Sequence, residues 1–194
     1  MAGTIRRISF QYAKYSSRYD KFKEGIIENA FNPAFSNGAL MDIGVYCVHP
    51  LVRLFGMPKK IIADSLLLSN GVEGAGTILA SYDGMQAELL YSKITNNRLP
   101  SQIQGEDGTL VIDNITNICS VVFHDRKGNA ETVIELPPEH SLDGEVKDWL
   151  RMIATGEGVR EDNECSLMEL RVMDEARRQA GIVFPADLRK ITGC

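Results

Sequence analysis

Between Lys59 and Leu136 the chain alternates short runs of β-forming residues with tight-turn signals, and this alternation limits the fold more than any other feature. The runs cover 59–68, 74–82, 86–94, 101–104, 109–113, 117–123 and 131–136. Turns are signalled at Asn70-Gly71, Asp83-Gly84, Asp107-Gly108 and Lys127-Gly128-Asn129. Strands separated by so few residues pair as hairpins, because a parallel partner needs a crossover of about a dozen residues or more. The expected core is therefore a largely antiparallel sheet, which excludes a doubly wound parallel fold. Ile5, Ile8, Phe10 and Tyr12 predict one further strand within 4–15, broken by Ser16-Ser17.

Helical periodicity brackets the strands. Leu40, Ile43, Cys47, Leu51 and Leu54 recur at helical spacing between Ala39 and Phe55, and Gly56 with Pro58 supplies the stop. Pro50 removes one backbone donor inside this run, so a kink or break is expected near 46–49. Val146, Trp149, Leu150 and Ile153 predict a helix over 142–155 with Trp149 in the core. Leu167, Leu170, Val172, Met173 and Ala176 predict another over 166–180. Residues 18–35 read as a long polar loop with at most one helical turn, the kind of loop often used for function. The class is α+β, an open, mostly antiparallel sheet with helices on one face. Ile78, Ala80, Leu89, Leu90 and Val122 exceed what three or four helices can cover. They are expected on the other face, where a second copy would make a homodimer or higher oligomer, or in one larger core if the sheet twists on itself.

At 194 residues one domain is expected. The net charge of -5 and the scattered cations, densest at Arg6-Arg7, Lys59-Lys60 and Arg177-Arg178, argue against nucleic acid as a partner. No stretch approaches the roughly 20 apolar residues of a membrane span, and the N-terminus lacks the apolar core of a signal peptide, so no membrane partner and a cytoplasmic location are expected. Cys47, Cys119, Cys165 and Cys194 lack CxxC spacing, and His49, His124 and His140 do not cluster, so neither a metal site nor a disulfide framework is expected.

The most informative chemistry lies between Asn37 and Pro50. On a helix Asp42 and Tyr46 are four apart, His49 is three beyond and Arg53 four further, which puts all four along one stripe. A carboxylate one turn from a phenol orders the hydroxyl for proton exchange with a carbonyl or alkoxide, which makes Asp42 and Tyr46 the catalytic candidates. The same spacing also suits an Asp placed for the helix dipole and a Tyr on a rim.

The segment resembles the signature of the Gfo/Idh/MocA oxidoreductases, in the branch that holds glucose-fructose oxidoreductase and dihydrodiol dehydrogenases. The G-A-L-x-D-x-G-x-Y pattern of that branch is matched by Gly38, Ala39, Leu40, Asp42, Gly44 and Tyr46. Ser17-Arg18-Tyr19-Asp20, Leu54-Phe55-Gly56 with Pro58, and the run from Ser101 to Leu110 agree with it. The resemblance implies that residues 1–194 are a single C-terminal substrate-binding and oligomerisation domain of an NAD(P)-dependent oxidoreductase acting on a CH–OH group of a sugar, polyol or diol. Tyr46 would be the general acid/base and Asp42 its orienting partner. Arg18, Tyr19, Lys93 and His49 are the substrate-binding candidates, although His49 reads more readily as a helix-flank residue with a satisfied ring; inositol-dehydrogenase-like members carry His where Tyr46 stands, a role that His49, seven after Asp42, does not inherit.

The family's N-terminal Rossmann domain has no counterpart here. No G-x-G-x-x-G turn links a strand to a helix, and Gly71, Gly74 and Gly76 precede a strand. Neither Lys59-Lys60 nor Lys93 stands in the Glu-Lys-Pro context of the family's partnering lysine. NAD or NADP is therefore expected in the intact parent and not on this chain, which alone should be inactive. Two alternatives stay open, a stand-alone binding or oligomerisation module and an NAD-dependent glycosidase of the same family.

Overall fold

A computed structural model describes residues 1–137 and 142–188, so His140 and Cys194 lie outside the described residues. Eight strands form one open sheet: β1 (Ile5–Ala13), β2 (Lys60–Leu67), β3 (Glu73–Tyr82), β4 (Met85–Ser92), β5 (Ser101–Gly105), β6 (Gly108–Ile112), β7 (Ser120–Asp125) and β8 (Ala130–Glu135). Their order is β2-β3-β4-β1-β5-β6-β7-β8. Local turn chemistry accounts for the hairpins β2–β3, β3–β4, β5–β6, β6–β7 and β7–β8, all antiparallel. β1 is inserted between β4 and β5, parallel to the first and antiparallel to the second. The parallel register sets Ala13 beside Ser92, so both strands end at the same edge of the sheet.

Register also assigns the faces. Ile8, Ala87, Ala80 and Ile61 form one row across β1, β4, β3 and β2, and Phe10, Leu89, Ile78 and Ala63 the next. These rows lie under α2 (Val45–Phe55) and α4 (Val159–Ala180), and Ile8, Ile78, Ala80 and Leu89 are fully buried. The expectation that Ile78, Ala80 and Leu89 face away from the helices is thereby corrected. Side chains alternate along a strand, so Leu89 and Leu90 cannot share a face, and of the two only Leu90 points to the open side. There it stands with Ile62, Leu66 and Leu79, all exposed.

The helices depart from the expected pattern in four places. Residues expected as loop form α1 (Ser17–Lys23), whose N-cap Ser16 accepts from the Arg18 amide, and two short 3₁₀ turns, Asn29–Phe31 and Pro33–Phe35. The irregularity expected near Pro50 falls earlier, in a π-helical turn at Leu40–Gly44, where the Val45 amide donates to the Leu40 carbonyl. α2 runs unbroken through Pro50, which forfeits only one backbone bond. α4 begins at Val159, ahead of the expected Ser166, because its first turns are polar and held by an Arg160–Glu164 ion pair that leaves no apolar period. α3 (Asp143–Thr155) turns Val146, Trp149, Leu150 and Ile153 to solvent, with Trp149 62% exposed, so Trp149 is not a core residue of the described chain.

No helix among the described residues is long and apolar enough to cross a membrane. Burying a side chain such as Leu89 contributes about 1.5–3 kcal/mol, and truncating it leaves a cavity as well. Leu89→Ala should therefore lower stability by about 2–5 kcal/mol in urea unfolding, against less than about 1 kcal/mol for Leu90→Ala on the open face.

Candidate active site

The common edge where β1 and β4 end carries the site. The Ser16 amide donates to the Lys93 carbonyl at 2.8 Å, fastening the start of α1 to the residue that follows β4. The π-helical turn crosses the same edge. Its first amide, at Leu40, donates to Oε1 of Glu73 at 3.0 Å, and Gly38 just before it passes so close to Glu73 that a Cβ there would strike the carboxylate. The glycine of the motif is thus required by close approach. Glu73 is fully buried and its Oε2 has no partner among the described residues. Burial pushes the Glu73 carboxyl up, opposed by the Leu40 and Glu73 amides and by the nearby cations Lys93 and Arg177.

Asp42 projects from the π-helical turn with its side chain 54% exposed, and its Oδ2 lies 2.6 Å from the Lys93 ammonium. Tyr46, one turn further along, is also partly exposed and sets its ring edge-on to Tyr12 at 5.4 Å. No hydrogen bond joins Asp42 to Tyr46. A polar cleft of about 490 Å³ opens beside Asp42, lined by Arg18, Glu28, Asn29, Ala30 and Asn37. A neighbouring lobe of about 320 Å³ shares Arg18 and Asp42 and adds Tyr12, Lys14 and Ser16. Arg18 is held at the mouth by Glu28 at 3.5 Å, and Lys21 pairs with the same carboxylate.

The remaining candidates separate. Tyr19 stacks on Phe22 and packs against Phe31 and Tyr15, so it supports the wall of the cleft from within an aromatic cluster. The Lys93 ammonium is buried, held by Asp42, by the Ala30 carbonyl at 3.1 Å and by the face of Phe31 at 5.2 Å. His49 turns to α4, its Nδ1 2.8 Å from Glu169, and Arg53 follows it to Asp162 at 2.9 Å. The expected stripe therefore divides, with Asp42 on the cleft, Tyr46 against Tyr12 at its margin, and His49 and Arg53 in the α2–α4 contact. Glu28, Asn29, Asn37 and Glu73 were not foreseen. The length of the segment after β1 was the available signal for the first two, and Glu73 beside a turn carried none.

A family model described as the GFO/IDH/MocA C-terminal domain matches residues 2–111, from β1 into β6 and through the Asp42–Tyr46 turn. The chain belongs to this family. The Gfo/Idh/MocA chain is 46% identical over 187 residues to scyllo-inositol 2-dehydrogenase (NADP(+)) IolU of Bacillus subtilis, covering 95% of this chain and 57% of that protein. It is 35% identical over 189 residues to the uncharacterized oxidoreductase YgjR of Escherichia coli, covering 97% and 58%. It thus spans a little over half the length of these relatives. Among solved structures, KijD10, a 3-ketoreductase from Actinomadura kijaniata in complex with TDP-benzene and NADP, superposes with a TM-score of 0.72 at 20% identity. That match covers 93% of this chain and 54% of the other, and it establishes the fold.

The described residues do not fit the pyrophosphate of a dinucleotide. β1 passes into α1 through Lys14-Tyr15-Ser16 without a glycine, and space beside Gly74 and Gly76 is already filled by Ile94 and by Tyr91 with Ser65. Nor is any group of three or more His, Cys, Asp or Glu among the described residues placed to hold a metal ion.

The His49–Glu169 pair predicts a pH dependence. The hydrogen bond that the His49 ring donates to the Glu169 carboxylate raises the His49 pKa above its ordinary 6.5, against partial burial. A raised folded value means that the added stability is complete below about pH 6 and is lost as pH rises through that value. The ring is half exposed, so solvent screening holds the effect below about 1 kcal/mol. Urea midpoints should fall from pH 6 to pH 8.5 in the wild type, and Glu169→Gln should flatten that slope.

Proposed function

We propose that this chain is the substrate-binding half of an NAD(P)-dependent dehydrogenase that oxidises a secondary hydroxyl of a cyclic polyol, and that it is inactive alone. The observation that carries this reading is the polar cleft in which Asp42 and Arg18 meet, with Tyr46 packed on Tyr12, which lines its smaller lobe. Carboxylate, amide and guanidinium groups suit a ring bearing many hydroxyls better than an apolar ring. The 46% identity to an NADP-dependent scyllo-inositol dehydrogenase supports the same class. In this reading Tyr46 exchanges a proton with the substrate oxygen, and Asp42 accepts a hydrogen bond from a substrate hydroxyl and fixes the ring. The hydride acceptor is NAD or NADP, held by the part of the protein outside this chain. Arg18 belongs to the cleft rim in this scheme, Tyr19 to its support.

In the whole protein, NAD(P)H formation with scyllo-inositol and other cyclic polyols should fall on the order of 10²-fold or more in Tyr46→Phe. Turnover equal to wild type at saturating substrate would remove Tyr46 from the proton-transfer role.

We also infer that two copies pair across the open face of the sheet, where Ile62, Leu66, Leu79 and Leu90 stand together beside an Arg7–Glu88 ion pair. Light scattering of the chain should give at least a dimer mass, and Leu79→Lys should reduce it toward a monomer. An unchanged mass for that variant would place the contact elsewhere.

A further inference from the structure

Lys93 and Glu73 are the two buried ionisable side chains at the cleft, and both hold the same five-residue turn. Lys93 is 2% exposed and Glu73 fully buried, while the Asp42 carboxylate between cleft and interior is 54% exposed. A lysine kept from water without a partner would lose several kcal/mol, so its ammonium must be spent locally. It is: Asp42 Oδ2, the Ala30 carbonyl and the Phe31 ring engage it, where Lys93 borders the smaller lobe of the cleft. The Lys93 backbone binds in two further directions, its amide to the Gly74 carbonyl and its carbonyl to the Ser16 amide. Glu73 takes the other end of the turn through the Leu40 amide.

We propose that Lys93, with Glu73 behind it, is a positioning residue that locks the π-helical turn so that Asp42 presents its second oxygen, Oδ1, to the ligand. The ammonium is already engaged by Asp42 and Ala30, so the lysine acts on the ligand through Asp42. Its single charge takes one lone-pair direction of Asp42 and leaves the other oxygen free at the cleft, and its contact with Ala30 holds the opposite wall at a set distance. This rests on the dehydrogenase reading for its kinetic consequence but not for its geometry, and the test separates the two.

In the whole protein, Lys93→Met, Asp42→Asn and the double variant should be compared in steady state with NADP and a cyclic polyol. Lys93→Met should lower kcat about a hundredfold with the KM for NADP within about twofold, because only the reacting geometry is disturbed. The double variant should be no slower than Asp42→Asn by more than about twofold, since the lysine acts through that carboxylate. Losses that multiply would overturn the assignment. A readout independent of activity, and of whether Lys93→Met folds, uses the 194-residue chain in reductive methylation followed by peptide mass spectrometry. Lys93 should be the slowest lysine to label, and Asp42→Ala should speed it at least about tenfold while Lys59 and Lys60 are unchanged. Equal labelling of Lys93 in both proteins overturns the proposal even if the enzyme is active. Absence of any polyol oxidation by the wild type, with the labelling contrast intact, instead overturns the functional reading alone.

Discussion

The parallel pairing of β1 with β4 is the constraint on which the site depends. In a hairpin the chain leaves one strand and enters the next at the same edge, so two strand C-termini never lie side by side. The parallel pair does bring two C-termini together, at Ala13 and Ser92. The segment after β1 and the segment after β4 therefore emerge next to one another, and the Ser16–Lys93 backbone bond closes the gap. The helix-bearing turn that crosses this edge then has both a wall and a floor to rest on. An all-antiparallel order would put Arg18 and Lys93 at different margins of the sheet.

The floor is unusual for its charge. Fully buried Glu73 and almost fully buried Lys93 both have to be desolvated, and the compensation differs. Lys93 has a carboxylate, a carbonyl and an aromatic face around it. Glu73 has one amide on one oxygen and nothing on the other among the described residues, so burial dominates and favours its protonated form. Buried ionisable groups of this kind contribute little to net stability compared with apolar residues of equal volume. What they do achieve is to tie a loosened helical turn to two neighbouring strand ends at defined atoms. Gly38 belongs to the same device, because only a residue without a Cβ lets the chain pass the Glu73 carboxylate.

Legibility in the sequence followed the range of the interactions. The hairpin strands were legible because each turn signal lies within a few residues of both strands it joins. The place of β1 was not, since Ile8 pairs with Ala87 on one side and Ile103 on the other, far along the chain. The Asp42–Tyr46 pair was legible through its motif, and the claim that His49 and Arg53 share its stripe was not sound. The π-helical turn rotates Asp42 relative to α2, and within α2 the later residues His49 and Arg53 are taken by Glu169 and Asp162 of α4 while Tyr46 packs on Tyr12. Lys93 was legible as a candidate but not as a buried residue, because its burial is created by residues 29–31 folding over it, a tertiary event with no local trace. Trp149 failed for the opposite reason: the amphipathic period of α3 is real, but period alone names a face and not what covers it.

These distances also restrict how the two catalytic candidates can cooperate. Asp42 and Tyr46 make no hydrogen bond to each other, and each has its own support, Lys93 for the first and the Tyr12 ring for the second. Direct ordering of the phenol by the carboxylate, as helical spacing suggested, is therefore not how the site is built. They stand four residues apart on one continuous helical segment, so the π-helical turn sets their relative position, while Lys93 and Tyr12 each hold one of the two side chains. The parallel register of β1 and β4 brings those two supports, Tyr12 on β1 and Lys93 just after β4, to one edge of the sheet.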